Sequence, residues 1–175
     1  MAGVSLVMDG KVALITGGSR GIGAETVRLF SAAGARVVFS YRQAKELALT
    51  LMDECGGPSR CVPVEQELNS PAEGRALVGA AISAFGRLDA LVVNHGVWPA
   101  EDAPIEIMTE EQWRSTIAIN LDSVFGLVQA AVVQMQLQGP PPTAEDGPKG
   151  HIVLISSTAG PRGRPPNAED RPSFL

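Results

Sequence analysis

The chain has 175 residues, 45% of them apolar, which suits one domain with a buried core. Its net charge of −5 argues against broad binding to nucleic acid or to an anionic membrane. Cys55 and Cys61 have no neighbouring metal-ligand cluster, and no leader or membrane-spanning stretch is read, so a cytoplasmic protein with reduced thiols and no resident metal is expected.

Short apolar runs alternate with helical periodicities, the pattern of βαβ units. A first strand is predicted over Lys11–Thr16, and a helix over Gly21–Ala33 with Ile22, Val27 and Phe30 on its inner face. Gly34 ends that helix, and Arg36–Ser40 is the second strand. A helix over Ala44–Cys55 stops at Gly56-Gly57-Pro58, and Arg60–Val64 is the third strand.

Ser70-Pro71-Ala72-Glu73 is a capping box with proline at the first helical position. The helix it opens is expected to turn Leu77, Ala80, Ala81, Ala84 and Phe85 inward. Asp89–Asn94 is the fourth strand. Thr109-Glu110-Glu111-Gln112 opens a long helix whose inner stripe is read as Trp113, Ile117, Leu121, Val124, Phe125, Val128 and Val132. Gly139 and the prolines after it stop this helix, and Gly150–Ser156 is the fifth strand.

The fold class is α/β, a Rossmann-type doubly wound parallel sheet. Residues 1–160 form the nucleotide-binding domain. Residues 161–175, with four prolines and three arginines, are read as a disordered or irregular tail.

One segment carries chemistry most clearly. Thr16-Gly17-Gly18-Ser19-Arg20-Gly21-Ile22-Gly23 links the first strand to the first helix. Glycines at 17, 21 and 23 let backbone approach a pyrophosphate, and the helix N-terminus faces the anion with free N–H groups. An NAD site normally has an acid at the end of the second strand for the ribose hydroxyls. Here that place reads Ser40-Tyr41-Arg42, so Arg20 and Arg42 are the candidates to clamp a 2′-phosphate, and NADP is favoured over NAD.

With these motifs the chain resembles the short-chain dehydrogenase/reductase family from about Gly10 to Gly160. The resemblance implies several roles. Glu67-Leu68 stands where the family has Asp-Val against the adenine. Asp89 to Gly96 resembles the strand ending Asn-Asn-Ala-Gly; Asn94 and Gly96 match, Val93 replaces the first Asn and His95 replaces Ala. His95 is then either a satisfied turn residue or a polar group facing the cofactor. Asn120 matches the helix-borne Asn of the active site, and Ser157 the catalytic Ser at the end of its strand. The nearest likeness within the family is to 3-oxoacyl-[acyl-carrier-protein] reductases. A small-molecule carbonyl or alcohol substrate and a homo-oligomer are implied.

The family pattern also has a Tyr-x-x-x-Lys about a dozen residues after the Ser. Residues 158–175 contain neither a Tyr nor a Lys. The expectation is a chain truncated or altered after Gly160, a family oxidoreductase by descent that lacks its proton donor. The rival reading is a non-catalytic binding module or an unstable fragment. The resemblance implies further strands beyond the fifth, so the sheet is expected to be incomplete at its C-terminal edge, leaving the fifth strand a bare apolar edge through which the chain self-associates.

Overall fold

The computed structural model describes residues 7–98, 103–139 and 148–157. Leu14 and Ile15 point to opposite faces of the first strand, and both are fully buried. That is the condition of a strand covered on both sides, and it explains why these runs read as continuous apolar segments. The strands are β1 Val12–Ile15, β2 Arg36–Tyr41, β3 Cys61–Glu65, β4 Ala90–Val93 and β5 His151–Leu154. They pair in parallel in the order β3-β2-β1-β4-β5. Pro63 lies on β3, an edge strand, where a missing N–H is tolerated.

The helices are α1 Gly21–Ala32, α2 Lys45–Glu54, α3 Pro71–Phe85, α4 Glu110–Ile117 and α5 Ser123–Leu137. A π segment, Ala118–Asp122, joins α4 to α5 without a break. One core layer packs α1 and α2 through Val27, Ala48 and Leu51 onto Ile15, Val37 and Phe39. The other packs α3 and α5 through Leu77, Ala81, Leu127 and Ala131 onto Leu14, Val38 and Leu91. The fold is therefore a doubly wound α/β sheet, as expected.

The chain winds outward from β1 to β3, then crosses back to place β4 on the other side of β1. The crevice between the C-terminal ends of β1 and β4 is thus a topological switch point, where open α/β sheets bind ligands. Asp89 fixes the opposite end of this pair. Its Oδ2 accepts the Val12 N–H at 2.8 Å, and its carboxylate pairs with Arg87 at 2.6 Å.

Element positions agree with the sequence reading to within a residue or two, but several inner faces do not. Ile22 is 55% exposed and lines the crevice instead of packing beneath α1, where Gly23, Ala24 and Val27 are buried. On α3 the buried set is Gly74, Leu77, Val78 and Ala81, while Ala84 is exposed. The long helix is turned furthest from expectation. It buries Ser123, Gly126, Leu127, Ala131 and Met135, and exposes Trp113, Leu121, Phe125 and Val132. The helix is apolar around much of its circumference, so periodicity did not single out the inner stripe. Small residues did, because they let α5 approach α3 closely. The continuous helix Glu110–Leu137, 28 residues, is also long and apolar enough by length and composition to cross a membrane, which corrects the reading that no stretch is. Its place here is against α3 and the sheet.

On β5, Val153 and Leu154 are exposed on the edge of the sheet, as anticipated. The expected tail, 161–175, lies outside the described residues.

Candidate functional site

The glycine-rich turn leaves β1 at the switch point, and its geometry requires glycine. Gly17 and Gly21 have φ of 63° and 55°, in the left-handed region. A Cβ on Gly23 would run into the Gly17 carbonyl and lie 2.7 Å from Asn94 Nδ2. On Gly18 it would lie 2.6 Å from Phe39 Cβ. The turn is anchored to β2 as well: Gly17 N–H donates to Ser40 Oγ at 3.2 Å and Gly18 N–H to the Ser40 carbonyl at 2.8 Å.

Helix α1 starts differently from α3 and α4. Ser70 and Thr109 cap those helices through their hydroxyls, and acidic residues follow in each first turn. The N-cap of α1 is Arg20, extended and without a side-chain cap, and its first turn contains no acid. The start of α1 thus keeps N–H groups and a positive dipole end for an anion. This start, the tight glycine cradle and the crevice beside them fit a dinucleotide pyrophosphate.

The crevice is lined by Gly17, Ser19, Arg20 and Ile22 from the turn, and by Ser40, Tyr41, Arg42, Gln43 and Ala44 after β2. Leu68, with Gln66 and Asn69, forms the far rim; Asn94, His95, Gly96, Val97 and Ile119 close the inner end. Thr16 stands behind this wall, and Gly21 and Gly23 shape the turn without lining it. Glu67 departs from expectation. It is exposed outside the lining, and its carboxylate accepts from Asn69 Nδ2 at 3.2 Å. Glu67 points away because alternate residues after β3 face alternate sides, and Leu68 takes the inward place.

Arg20 and Arg42 are the two cations of the wall. Among the described residues neither has a protein partner. The other described arginines all do. Arg28 and Arg87 pair with carboxylates, Arg114 with Glu110, Arg36 stacks 5.0 Å from the Phe85 ring, and Arg60 and Arg75 donate to Ser31 and Gln129. Tyr41 lines the crevice, and its hydroxyl donates to Glu65 at 3.3 Å.

At the inner end, fully buried Thr16 organises the end of β4. Its Oγ1 accepts the N–H groups of Asn94 and His95 at 2.9 and 3.1 Å. With both lone pairs taken, its own proton points to His95 Nδ1, 2.8 Å away. Ser123 Oγ–H donates to the Ile119 carbonyl at 2.7 Å, so it accepts from His95 Nε2–H at 2.9 Å. His95 is therefore neutral with its proton on Nε2. Burial pushes its pKa down to about 4, against a smaller opposing pull from the Ile119 carbonyl. Of the two roles open to His95 in the sequence, the structure shows the first: both ring nitrogens are satisfied within the protein, at the inner end of the crevice.

Asn120 sits on the π segment. Its Oδ1 accepts the Val97 N–H and its Nδ2 donates to the Val97 carbonyl, both at 2.8 Å. Ser157 is half-buried beyond the C-terminal end of β5, on the same side of the sheet as the turn after β1. It does not line the crevice. Sequence reasoning missed Ser40 and Ser123. A buried hydroxyl at the end of the run Val37-Val38-Phe39 was a signal for the first; nothing local marked the second.

A short chain dehydrogenase family model matches residues 11–168, past the Gly160 at which the resemblance was placed. An uncharacterized oxidoreductase of Methylorubrum extorquens is 38% identical over 153 residues, covering 86% of this chain and 56% of that protein. The 3-oxoacyl-[acyl-carrier-protein] reductase of Thermotoga maritima is 32% identical over 158 residues, covering 90% and 60%. A short chain dehydrogenase from Burkholderia cenocepacia, solved in complex with NADP, superposes with a TM-score of 0.76 at 30% identity, covering 90% of this chain and 60% of that one. The chain thus spans a little over half the length of the relatives it matches. Its sheet, its glycine-rich turn and these likenesses agree: the chain belongs to the short-chain dehydrogenase/reductase family.

Proposed function

We propose that these residues are the cofactor-binding part of an NADP(H)-dependent oxidoreductase acting on a carbonyl or alcohol carbon of a small molecule. The observation that carries the cofactor choice is the unpartnered pair Arg20 and Arg42 in the crevice wall. Two guanidinium groups left without carboxylates suit a 2′-phosphate, and no acid stands at Tyr41 to hold a bare ribose. The NADP complex of the Burkholderia protein supports the same choice. The named Thermotoga relative makes 3-oxoacyl thioesters the first substrate class to try. Two buried free thiols, Cys55 and Cys61, suit a cytoplasmic setting.

In this reading the bound nicotinamide supplies or takes the hydride. The residues of this chain hold the frame around it. The α1 start binds the pyrophosphate, Asn94 and Thr16 fix the end of β4, and Asn120 pins Val97 at the nicotinamide end. By the family resemblance, Ser157 is the residue that would donate to the substrate oxygen. Residues 158–175 supply no Tyr or Lys to pass the proton. A positioned general acid contributes about 10²–10⁴-fold in rate, so the 175 residues alone bind nucleotide without steady turnover. This favours the binding-module reading for the chain by itself and the reductase reading for the family role.

Titration calorimetry with NADPH and NADH, on the wild type and on an Arg20→Ala, Arg42→Ala double variant, tests the proposal. NADPH should bind more tightly, and the double variant should erase most of the difference. Equal wild-type affinities would refute the cofactor assignment. Steady NADPH oxidation with 3-oxoacyl thioesters would overturn the inactive reading.

A further inference from the structure

Two side chains close a ring at the inner end of the crevice. His95 reaches from the β4 end to Ser123 at the start of α5, and Asn120 reaches back from the helix to Val97. Between the anchored residues lie only Gly96 on one side and Leu121-Asp122 on the other. The fit is close: a Cβ on Gly96 would lie 3.3 Å from Asn120 Oδ1. Thr16, which leads into the glycine-rich turn, bonds the far side of the same imidazole.

The π segment makes this ring possible. A π turn lets carbonyls leave the regular α ladder, and Ser123 Oγ–H occupies that of Ile119. The wide turn carries Asn120 toward Val97, while the one proton of Ser123 is already committed to Ile119. Ser123 can therefore only accept from His95, and Thr16 can only donate to it. An imidazole protonated on Nε2 alone satisfies both. We infer that His95 is a positioning residue, whose imidazole between Thr16 and Ser123 holds the Asn120 turn in register with the glycine-rich turn. The tether is made entirely by residues of this chain, so it stands apart from the cofactor assignment.

Two measurements on the nucleotide-free chain test it. Long-range proton–nitrogen NMR of the His95 ring should show the proton on Nε2 and none on Nδ1. The opposite tautomer would overturn the inference. Amide hydrogen exchange should quicken about tenfold at Val97 and across Ile119–Asp122 in His95→Ala, while Leu14 and Val38 keep their wild-type protection. Ser123→Ala removes the Nε2 partner but leaves the imidazole, and should give the same local pattern. Unchanged exchange at Val97 in both variants, or uniform quickening throughout the sheet, would show that His95 merely fills space. If His95→Ala fails to fold, the exchange pattern of Ser123→Ala and the wild-type tautomer decide the matter.

Discussion

Asn94 Nδ2 donates to the carbonyls of both Thr16 and Gly17, at 3.2 and 3.3 Å. One amide group thereby ties the end of β4 to the start of the cofactor turn. The Gly23 approach depends on it too, since Asn94 and the Gly17 carbonyl are the atoms that a Cβ there would meet. Asn94→Ala should lower stability by about 1–3 kcal/mol, because two carbonyls lose their donor. It should weaken nucleotide binding further by loosening the turn. Urea unfolding and calorimetry on the variant check both parts; unchanged NADPH affinity would separate the tie from the site.

The Asn94 tie was legible as a family position, and the glycine-rich turn as a physical device, because both depend on residue types at short spacing. Glu67 was misplaced because register past the end of a strand is set by tertiary contacts, and Leu68 wins the inward place by burial. The inner face of α5 was misread for a similar reason. Phe125 and Leu121 look like core residues, yet Gly126 and Ser123 face inward because α3 leaves no room for more. The His95–Ser123 contact joins residues that no periodicity relates, across the gap between a strand end and a π segment.

Half-buried, neutral His95 makes stability depend on pH. Its pKa is about 4 in the folded chain against an ordinary 6.5. Between these values the unfolded chain binds a proton that the folded one does not. This linkage is therefore silent above pH 6.5, and stability falls as pH drops from 6.5 toward 4. The loss attributable to this residue should reach about 2–3 kcal/mol at the lower end. Denaturant unfolding of the wild type and His95→Asn at several pH values measures it. The gap between the two should shrink as pH falls, and a constant gap would show that His95 titrates normally.

Leu121, Phe125, Val133 and Leu137 on the outside of the long helix are all more than half exposed, as is Leu154 on β5. Together they present an apolar face on one side of the fold, the kind of surface that promotes association. The chain should sediment as a concentration-dependent assembly and bind a hydrophobic dye. Phe125→Glu tests the helix face and Val153→Lys the open strand edge, one at a time. Whichever restores a monomer identifies the associating surface; a wild-type monomer without dye binding would show that neither associates.

Helices α3 and α5 meet through glycine. A Cβ on Gly126 would strike the Pro71 carbonyl and lie 2.6 Å from Pro71 Cα. One on Gly74 would strike the Ser123 carbonyl and lie 2.7 Å from Leu127 N. The obstructing atoms are backbone, which cannot rotate away as a side chain tip does. Gly126→Ala must therefore push the helices apart, and overpacking of this kind costs about 1–3 kcal/mol. Gly79 provides the control on α3 itself, because nothing lies within 4 Å of its added Cβ. There alanine should stabilise by about 0.5–1 kcal/mol through helix propensity alone. Thermal or urea unfolding of the two variants should move in opposite directions. The Gly126 change also bears on the site, since Ser123, the acceptor for His95, lies one turn before it on α5. Hydrogen exchange at Val97 should rise in Gly126→Ala and stay at the wild-type level in Gly79→Ala. A Gly126→Ala variant as stable as the wild type would mean that the helix pair can separate freely, and the close crossing would lose its role in seating Ser123.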